Sequence, residues 1–313
     1  MDNPSFPLVS VGIPTYNEAE YIRASLDNLL SQTYPNIQIT ISDNASTDGT
    51  SDIAAEYAKA FPNITHVRHE TNIGQHANFN YLPTAATGTY FLWAAGHDLL
   101  EQTFIASAVE ALQTHPTAVL AFPRTIDILA DGTPFNENSR VFDILKADAC
   151  KRFTETMWRV DCNYVYGVYK REPMLRTHLF QAIPAPDRVF LSEMAVLGPF
   201  VPANTIRYCR MNRGKKQTEV EKRHRLMRYI IPDRTFTDAE LMTNRFYEPT
   251  FRAFHRVVSE GNFSFFETIR LHFSVWLAGV MKAHMFPGAD VLSKIVKTCL
   301  PRPILKKILA KMQ

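Results

Sequence analysis

The 313-residue sequence contains only four cysteines, and they are far apart from one another. Cys150, Cys162, Cys209 and Cys299 include no Cys-X-X-Cys pair. A small disulfide-dependent domain is much denser in cysteine, and a structural zinc site needs closely spaced pairs of ligands. We therefore expect free thiols in a reducing compartment.

Long apolar runs are also absent. No stretch reaches the roughly 18 uncharged apolar residues that a membrane-spanning helix needs. The longest candidate, Leu271 to Met281, is flanked by Arg270 and Lys282. The first residues lack the basic and apolar regions of a signal peptide. These absences predict a cytoplasmic protein, either free or peripheral on the inner face of the cytoplasmic membrane.

Acidic and basic residues are unevenly divided along the chain. Residues 1–209 carry 14 Lys and Arg against 22 Asp and Glu, a net charge of −8. Residues 210–313 carry 20 against 9, a net charge of +11. A change of that size suggests different partners for the two parts. We predict one domain over residues 1–210 and a helical basic region over residues 211–313.

The last segment, Val291 to Gln313, has six basic residues, no acid, and regularly spaced Ile, Leu and Val residues. A basic amphipathic helix is typical of binding to an anionic membrane surface. The alternative is that its apolar stripe packs on the domain while its lysines face water. No recognition motif for nucleic acid accompanies the charge, so nucleic acid is not expected as a partner.

Strand and helix patterns alternate along the first part of the chain. Leu8–Ile13 and the alternating isoleucines of Ile37–Ile41 each predict a buried strand. Between them, Ile22–Leu30 has the apolar spacing of a helix packed on a sheet, with Asn17 as its predicted cap. A βαβ start implies a right-handed crossover. We therefore expect an α/β fold with a mostly parallel sheet flanked by helices.

Polar residues follow these strands at the edge where parallel strands end, and open α/β sheets bind ligands outside that edge. Asp43 ends the second strand, where its carboxylate can accept hydrogen bonds from a nucleobase. The alternative for Asp43 and Asp48 is an Asx-type turn, which we favour for Asp48 alone. The first strand ends in Gly12-Ile13-Pro14-Thr15 rather than GxGxxG, which argues against a dinucleotide-dependent oxidoreductase.

In their order, Val9–Glu18, Ile39–Thr50, Asn72–Gly74 and Tyr90–Asp98 resemble the nucleotide-sugar-binding half of family 2 glycosyltransferases with the GT-A fold. The resemblance extends over roughly residues 8–210 and implies a GT-A-type, Rossmann-like sheet. It also implies inverting transfer of a sugar from a nucleoside-diphosphate donor to a saccharide or lipid-linked acceptor, as in surface-polysaccharide assembly. The implied donor-site residues in the first three segments are Pro14, Thr15, Tyr16, Asn17, Glu18, Asp43, Asn72 and Gly74.

The acidic motif of the family is altered in this sequence. Relatives usually carry Asp-X-Asp after the hydrophobic strand, and the last Asp binds a divalent cation that bridges the diphosphate. Here Gly96 stands at the first acidic position, and only Asp98 matches. The resemblance implies Mg²⁺ or Mn²⁺ on Asp98, with His97 as a candidate nitrogen ligand that favours Mn²⁺. The change leaves a second hypothesis open, a catalytically impaired nucleotide-sugar-binding or scaffolding protein.

Two later segments resemble the catalytic part of the family. Asp187 opens a helical pattern that ends at Gly198, where relatives have an Asp that removes the proton of the acceptor hydroxyl. The alternatives are that Asp187 only caps this helix, or that Glu193 is the base. Arg210 corresponds to a Tyr-Arg segment of the family and is implied to neutralise diphosphate charge.

Overall fold

A nine-stranded mixed sheet organises the first of two units, residues 1–235 and 236–313, into which the chain divides. The computed structural model describes residues 6–138, 144–145, 147–210, 218–231, 234–243 and 246–283. Its strands are β1 Val9–Thr15, β2 Ile37–Asp43, β3 Ile64–Arg68, β4 Tyr90–Trp93, β5 Leu99–Leu100, β6 Leu120–Ile128, β7 Pro134–Asn138, β8 Val168–Lys170 and β9 Phe200–Arg210. The predicted basic tail, residues 291–313, lies outside the described residues.

The strands follow the order β3-β2-β1-β4-β8-β6-β9-β5, and β7 pairs with β6. The first four are parallel to one another, whereas β8 is antiparallel to both β4 and β6. The register of β1 and β2 pairs Val9 with Ile37 and Thr15 with Asp43. The loops after β1, β2 and β4 therefore leave the sheet at the same edge, which confirms the predicted α/β arrangement.

The helices of the first unit cover both faces of the sheet. They are α1 Ile22–Leu30, α2 Thr50–Ala60, α3 Gln75–Ala85, α4 Phe104–Thr114, α5 Ala149–Arg159, α6 Arg171–Met174, α7 Pro186–Leu197 and α8 Glu219–Ile230, with a 3₁₀ helix at Cys162–Tyr166. In the second unit the helices are α9 Asp238–Leu241, α10 Glu248–Glu260 and α11 Phe265–Ala283. None of the described helices is both long enough and apolar enough to cross a membrane.

Side chains on β4 alternate between two hydrophobic cores. Tyr90 and Leu92 join the core beneath α1, α2 and α4, whereas Phe91 and Trp93 join the core on the side of α3 and α7. The fully buried Trp93 ring lies 5.1–6.0 Å, between centroids, from five other aromatic rings. Its Nε1–H donates to the carbonyl of Phe79 at 3.0 Å. This packing fixes the point at which the loop to Asp98 leaves the sheet.

One local prediction is wrong. Asn17 does not cap α1, because the helix begins at Ile22 with Tyr21 at its N-cap. Asn17 instead adopts a left-handed conformation, with φ of 56°, and its Oδ1 accepts a hydrogen bond from the Thr47 N–H at 2.9 Å. Before β8, the chain forms the 3₁₀ helix Cys162–Tyr166, and the strand begins at Val168.

The described cysteines, Cys150, Cys162 and Cys209, are free thiols, as the spacing predicts. Cys299 lies outside the described residues. In the second unit α10 and α11 pack together, and apolar side chains of both helices are buried there. The Ser264 hydroxyl and the Glu267 carboxylate form a reciprocal cap at the start of α11.

Candidate functional site

A cleft of about 730 Å³ opens at the edge of the sheet where β1, β2 and β4 end. This volume is within the range of small-molecule sites, roughly 300–1,000 Å³. The residues predicted from the sequence that line it are Pro14, Tyr16, Glu18, Asn72, Gly74 and His97. The lining residues that sequence reasoning missed include Asn44, Gln75, Asn78, Phe79, Tyr166, Arg225 and Arg228. The other predicted site residues do not line the cleft, namely Thr15, Asn17, Asp43, Asp98, Asp187 and Arg210.

Hydrogen bonds hold the loop after β1 against the loop after β2. The N–H of Asn17 donates to the Ser46 hydroxyl at 3.0 Å, and the N–H of Glu18 donates to the Thr50 hydroxyl at 2.8 Å. Asp48 Oδ1 accepts from the Thr50 N–H at 3.0 Å, which is the Asx turn that the sequence predicts. The two loops therefore form one wall, from which Glu18 faces the cleft.

Asp43 ends β2 behind this wall and is fully buried. Its Oδ1 accepts from the Ser46 N–H at 3.0 Å, and its Oδ2 lies 3.3 Å from Arg68 Nη1. The carboxylate thus holds the β2 loop and pairs with a half-exposed guanidinium. Contact between Asp43 and a ligand requires Arg68 to move aside.

Amide side chains build the part of the cleft beside Asp43. Asn44 Nδ2 donates to Asn72 Oδ1 at 2.9 Å, and Asn44 Oδ1 accepts from the Ile73 N–H at 2.8 Å. Gly74 has a φ of 84°, which a residue with a Cβ rarely adopts, and it immediately precedes α3. The Asn72–Gly74 segment is therefore a rigid turn joined to the end of β2.

A buried ion pair lies beneath the loop after β4. Asp98 Oδ2 accepts from Arg207 Nε at 2.8 Å and also from Arg207 Nη2. Arg207 Nη1 donates to Asn163 Oδ1 at 3.0 Å, and the guanidinium carbon lies 4.0 Å from the centroid of the Tyr166 ring. Asp98 Oδ1 accepts from the Arg210 N–H at 3.2 Å. Both oxygens of Asp98 are therefore engaged within the protein.

His97 lies between two carboxylates. Its Nδ1 is 3.1 Å from Glu18 Oε1, and its Nε2 is 3.8 Å from Asp98 Oδ1. Burial lowers the pKa of His97, but the hydrogen bond to Glu18 and the charges of Asp98 and Glu18 outweigh it, so that the pKa is raised overall. A positive imidazole at the cleft is therefore favoured.

The predicted metal ligands do not fit a divalent cation in this arrangement. Asp98 is buried and already carries a guanidinium on one oxygen and an N–H on the other. In the described part of the chain, no group of three His, Cys, Asp or Glu side chains converges as a metal site. A hard cation prefers several free oxygen ligands, which Asp98 and His97 do not offer here.

Asp187 occupies the second position of α7. The helix has Ala185 at its N-cap, with φ of 54°, and Pro186 at its first position, so the alternative that Asp187 is the cap is wrong. Burial lowers the pKa of His76 to about 4, an effect that the charge of Asp187 opposes. Burial, and then the charge and hydrogen bond of Asp187, raise the pKa of the Cys162 thiol. Asp187 therefore lies near His76 and Cys162.

Glu193, the alternative base, forms hydrogen bonds that hold α7 to a neighbouring segment. It is buried within α7, and its two oxygens lie 2.8 Å from the N–H and from the Nδ1 of His178. Both of its oxygens therefore have partners on the segment after α6. Glu193 therefore contributes to packing α7 against that segment.

The arginines at or near the cleft differ in their contacts: Arg210 is engaged within the protein, whereas in the described part of the chain Arg225 and Arg228 are not. Arg210 Nη1 lies 3.4 Å from the carbonyl oxygen of His97, and its guanidinium carbon lies 5.0 Å from the centroid of the Tyr21 ring. Arg225 and Arg228, on α8, are exposed and line the cleft, because α8 packs against α3. Within the described residues neither has an ion-pair partner.

The family model and three curated relatives that match this chain agree on one protein family. The family model for glycosyl transferase family 2 matches residues 10–170, just over half of the chain. The putative teichuronic acid biosynthesis glycosyltransferase TuaG of Bacillus subtilis is 31% identical over 131 residues, which cover 42% of this chain and 52% of TuaG. The match to the putative glycosyltransferase EpsE of Bacillus subtilis covers 40% of EpsE, and the match to the glycosyltransferase GlyA of Streptococcus pneumoniae covers 14% of GlyA. The chain thus spans about half or less of the length of these three curated relatives.

Solved structures give the fold. S. aureus TarS in complex with UDP-GlcNAc matches with a TM-score of 0.52 at 18% identity, over 88% of this chain and 81% of that chain. The mannosyltransferase PcManGT of Pyrobaculum calidifontis, in complex with GDP-Man and Mn²⁺, matches with a TM-score of 0.53 at 20% identity, over 99% and 85%. These likenesses confirm the predicted GT-A fold.

The buried pair predicts strong coupling between Asp98 and Arg207. We expect Arg207→Met to lower the free energy of unfolding by about 3–5 kcal/mol, because the Asp98 charge is left buried without its cation. A double-mutant cycle with Asp98→Asn, measured by urea unfolding, should show that the double variant loses less than the sum of the two. The half-exposed pair Arg124–Glu137 is the control and should contribute at most about 1 kcal/mol. Additive losses at Asp98 and Arg207 would contradict the assignment.

Proposed function

The chain belongs to glycosyl transferase family 2, and on that premise we propose that it transfers a sugar from a nucleoside-diphosphate donor to a hydroxyl group of a saccharide or lipid-linked acceptor, with inversion at the anomeric carbon. One observation carries the proposal. Residues of three segments that resemble the family, the loops after β1 and β4 and the turn before α3, line a single cleft. The bound UDP-GlcNAc and GDP-Man of the two solved relatives support the donor class. The role of TuaG in teichuronic acid biosynthesis, as its name states it, supports surface-polymer assembly.

The nucleoside would bind at the amide-rich end of the cleft. The Asn44 and Asn78 side chains are engaged within the protein and hold this end of the cleft in shape, whereas Asn72 Nδ2 is a donor that can meet the polar edge of a base or a ribose. The exposed ring of Tyr16 offers an apolar face at the cleft for stacking. Asp43 acts in this proposal by holding the loop that carries Asn44, and it meets the base only if Arg68 moves.

The diphosphate would lie toward α8. Arg225 and Arg228 bring two guanidinium groups to the cleft, and His97 adds an imidazole whose positive form is favoured. Charge that develops on the leaving diphosphate is stabilised by such preorganised donors. One similar mannosyltransferase binds Mn²⁺, and a divalent cation would add Lewis-acid stabilisation to the same leaving group. Since the ligands predicted here do not fit a cation, no step is assigned to one.

Asp187 would act as the general base. The acceptor O–H bond breaks as its proton moves to the Asp187 carboxylate, the acceptor oxygen bonds to the anomeric carbon, and the bond from that carbon to the diphosphate oxygen breaks. His76 has a pKa of about 4 and is therefore neutral near pH 7. Asp187 then provides the carboxylate of this cluster that can take the proton.

The test of the proposal is an assay of the full chain with a panel of UDP- and GDP-sugars and hydroxyl acceptors. We expect release of nucleoside diphosphate that depends on the protein, and an increase in melting temperature with the preferred nucleoside diphosphate. The assay is run in EDTA and again with added Mn²⁺ or Mg²⁺, to measure the dependence on metal. Binding without transfer or hydrolysis would favour the impaired, binding-only alternative. Absence of any stabilisation by nucleotides would reject the donor class.

The base assignment predicts a defect in turnover alone. We expect Asp187→Asn to lower kcat by about 10²–10⁴-fold at unchanged donor affinity, because the amide keeps the shape but cannot take the proton. Transfer kinetics and calorimetric titration of the donor are the two measurements. Asp52→Asn is the control, since Asp52 is also an acid in the first turn of a helix. Full turnover of the Asp187→Asn variant would remove Asp187 from catalysis.

The arginines of α8 predict a defect confined to the diphosphate. We expect Arg225→Gln/Arg228→Gln to weaken binding of nucleoside diphosphate by about 10²–10⁴-fold, because hydrogen bonds to charged groups contribute about 1.5–3 kcal/mol each and two guanidinium groups are removed. Binding of the nucleoside without phosphates should not change. Lys222→Gln, an exposed cation of the same helix that does not line the cleft, is the control. An equal loss for nucleoside and nucleoside diphosphate would place the arginines outside the diphosphate site.

A further inference from the structure

Helix α11 exposes a row of large apolar side chains. Their exposed fractions are 73% for Phe265, 80% for Phe266, 53% for Ile269, 49% for Phe273 and 48% for Trp276. Successive side chains of an α-helix are rotated by about 100° around the helix axis. These five side chains therefore lie within an arc of roughly 100°. Leu271 and Val275 project from the other side of the helix and are buried. We call the exposed row the aromatic stripe.

The stripe is unusual for a protein surface. Among the described residues, eleven large hydrophobic side chains are exposed, and five of them belong to this one helix. Single exposed apolar residues are common, whereas a contiguous apolar patch marks a site of interaction. The helix already buries its other side within the second unit, so packing inside that unit does not require the stripe.

The charge of this part of the chain indicates the chemistry of the partner. Residues 268–313 contain eight Lys and Arg and only one acidic residue. A second copy of the chain would bring two such basic segments together, and their repulsion disfavours it. An anionic lipid surface satisfies both features, because Phe and Trp prefer the boundary between headgroups and acyl chains and basic residues bind the lipid phosphates.

We propose that α11 is a membrane-docking surface, with its aromatic stripe inserted at the interface of an anionic bilayer. The helix lies along the bilayer rather than across it, in keeping with its buried second face. Arg270, exposed next to the stripe, contacts the lipid headgroups. This membrane binding is a property separate from glycosyl transfer. It would place the protein beside lipid-linked molecules whatever reaction the protein catalyses.

The experiment measures binding of the full chain to vesicles of phosphatidylcholine, with and without phosphatidylglycerol. We expect binding only to the anionic vesicles, together with a blue shift of tryptophan emission that Trp276→Phe abolishes. Phe266→Ser/Phe273→Ser should weaken this binding by about tenfold or more, since it removes two buried rings from the bilayer contact. Phe61→Ser/Leu175→Ser, two exposed apolar residues of the first unit, is the control and should bind as the unmodified chain does.

Each other outcome overturns the proposal. Equal binding by the stripe variant and the unmodified chain would show attachment by charge alone. No binding by the unmodified chain would exclude the bilayer, and a dimer that the stripe variant dissociates would assign the stripe to a second copy. Unfolding of the stripe variant, measured by circular dichroism, would make the stripe part of the packed core. None of these results depends on donor binding, so they remain distinct from a failure of the proposed glycosyl transfer.

Discussion

The ion pair between Asp98 and Arg207 is the interaction on which the rest of the site depends. Burying two charges is costly, and it is tolerated only where good geometry and further hydrogen bonds compensate. Here Arg207 also contacts Asn163 and the Tyr166 ring, so that one side chain of β9 joins the loop after β4 to the 3₁₀ helix. Because Tyr166 and His97 both line the cleft, the pair fixes two of its walls at once.

The other side of the cleft is built on strand register instead of charge. Pairing of Thr15 with Asp43 brings two loops together, and backbone N–H groups of one loop are satisfied by hydroxyls of the other. Asn78 is held by Ser42 through both its side-chain oxygen and its side-chain nitrogen. Asn72 Oδ1 accepts from Asn44 and from the Gly74 N–H, so the amide group left to meet a ligand there is the Nδ2 of Asn72. A rigid frame of this kind leaves few side chains to be ordered when a ligand binds, which reduces the entropic cost of binding.

Much of the fold was predictable from the sequence because strands and helices here have clear periodicity, as in Ile37–Ile41. The residues that line the cleft were less predictable. Arg225 and Tyr166 belong to segments that reach the cleft only once the chain is folded. Arg207 did leave a signal, because inward positions alternate along β9 and residue 207 is one of them. Asn17 misled the prediction, because a local capping pattern competed with a distant partner, Thr47, that sequence spacing does not reveal.

The altered acidic motif has a physical explanation in the position of Glu18. A Cβ at residue 96 would lie 3.5 Å from both the Cβ and the Cγ of Glu18, which is ordinary contact, so a side chain there would project beside Glu18. A second carboxylate in that space would repel the first, whereas glycine leaves it to Glu18 alone. Glu18 then pairs with His97 at 3.1 Å. Glu18, from the loop after β1, therefore packs beside the position at which the motif lacks its first acid.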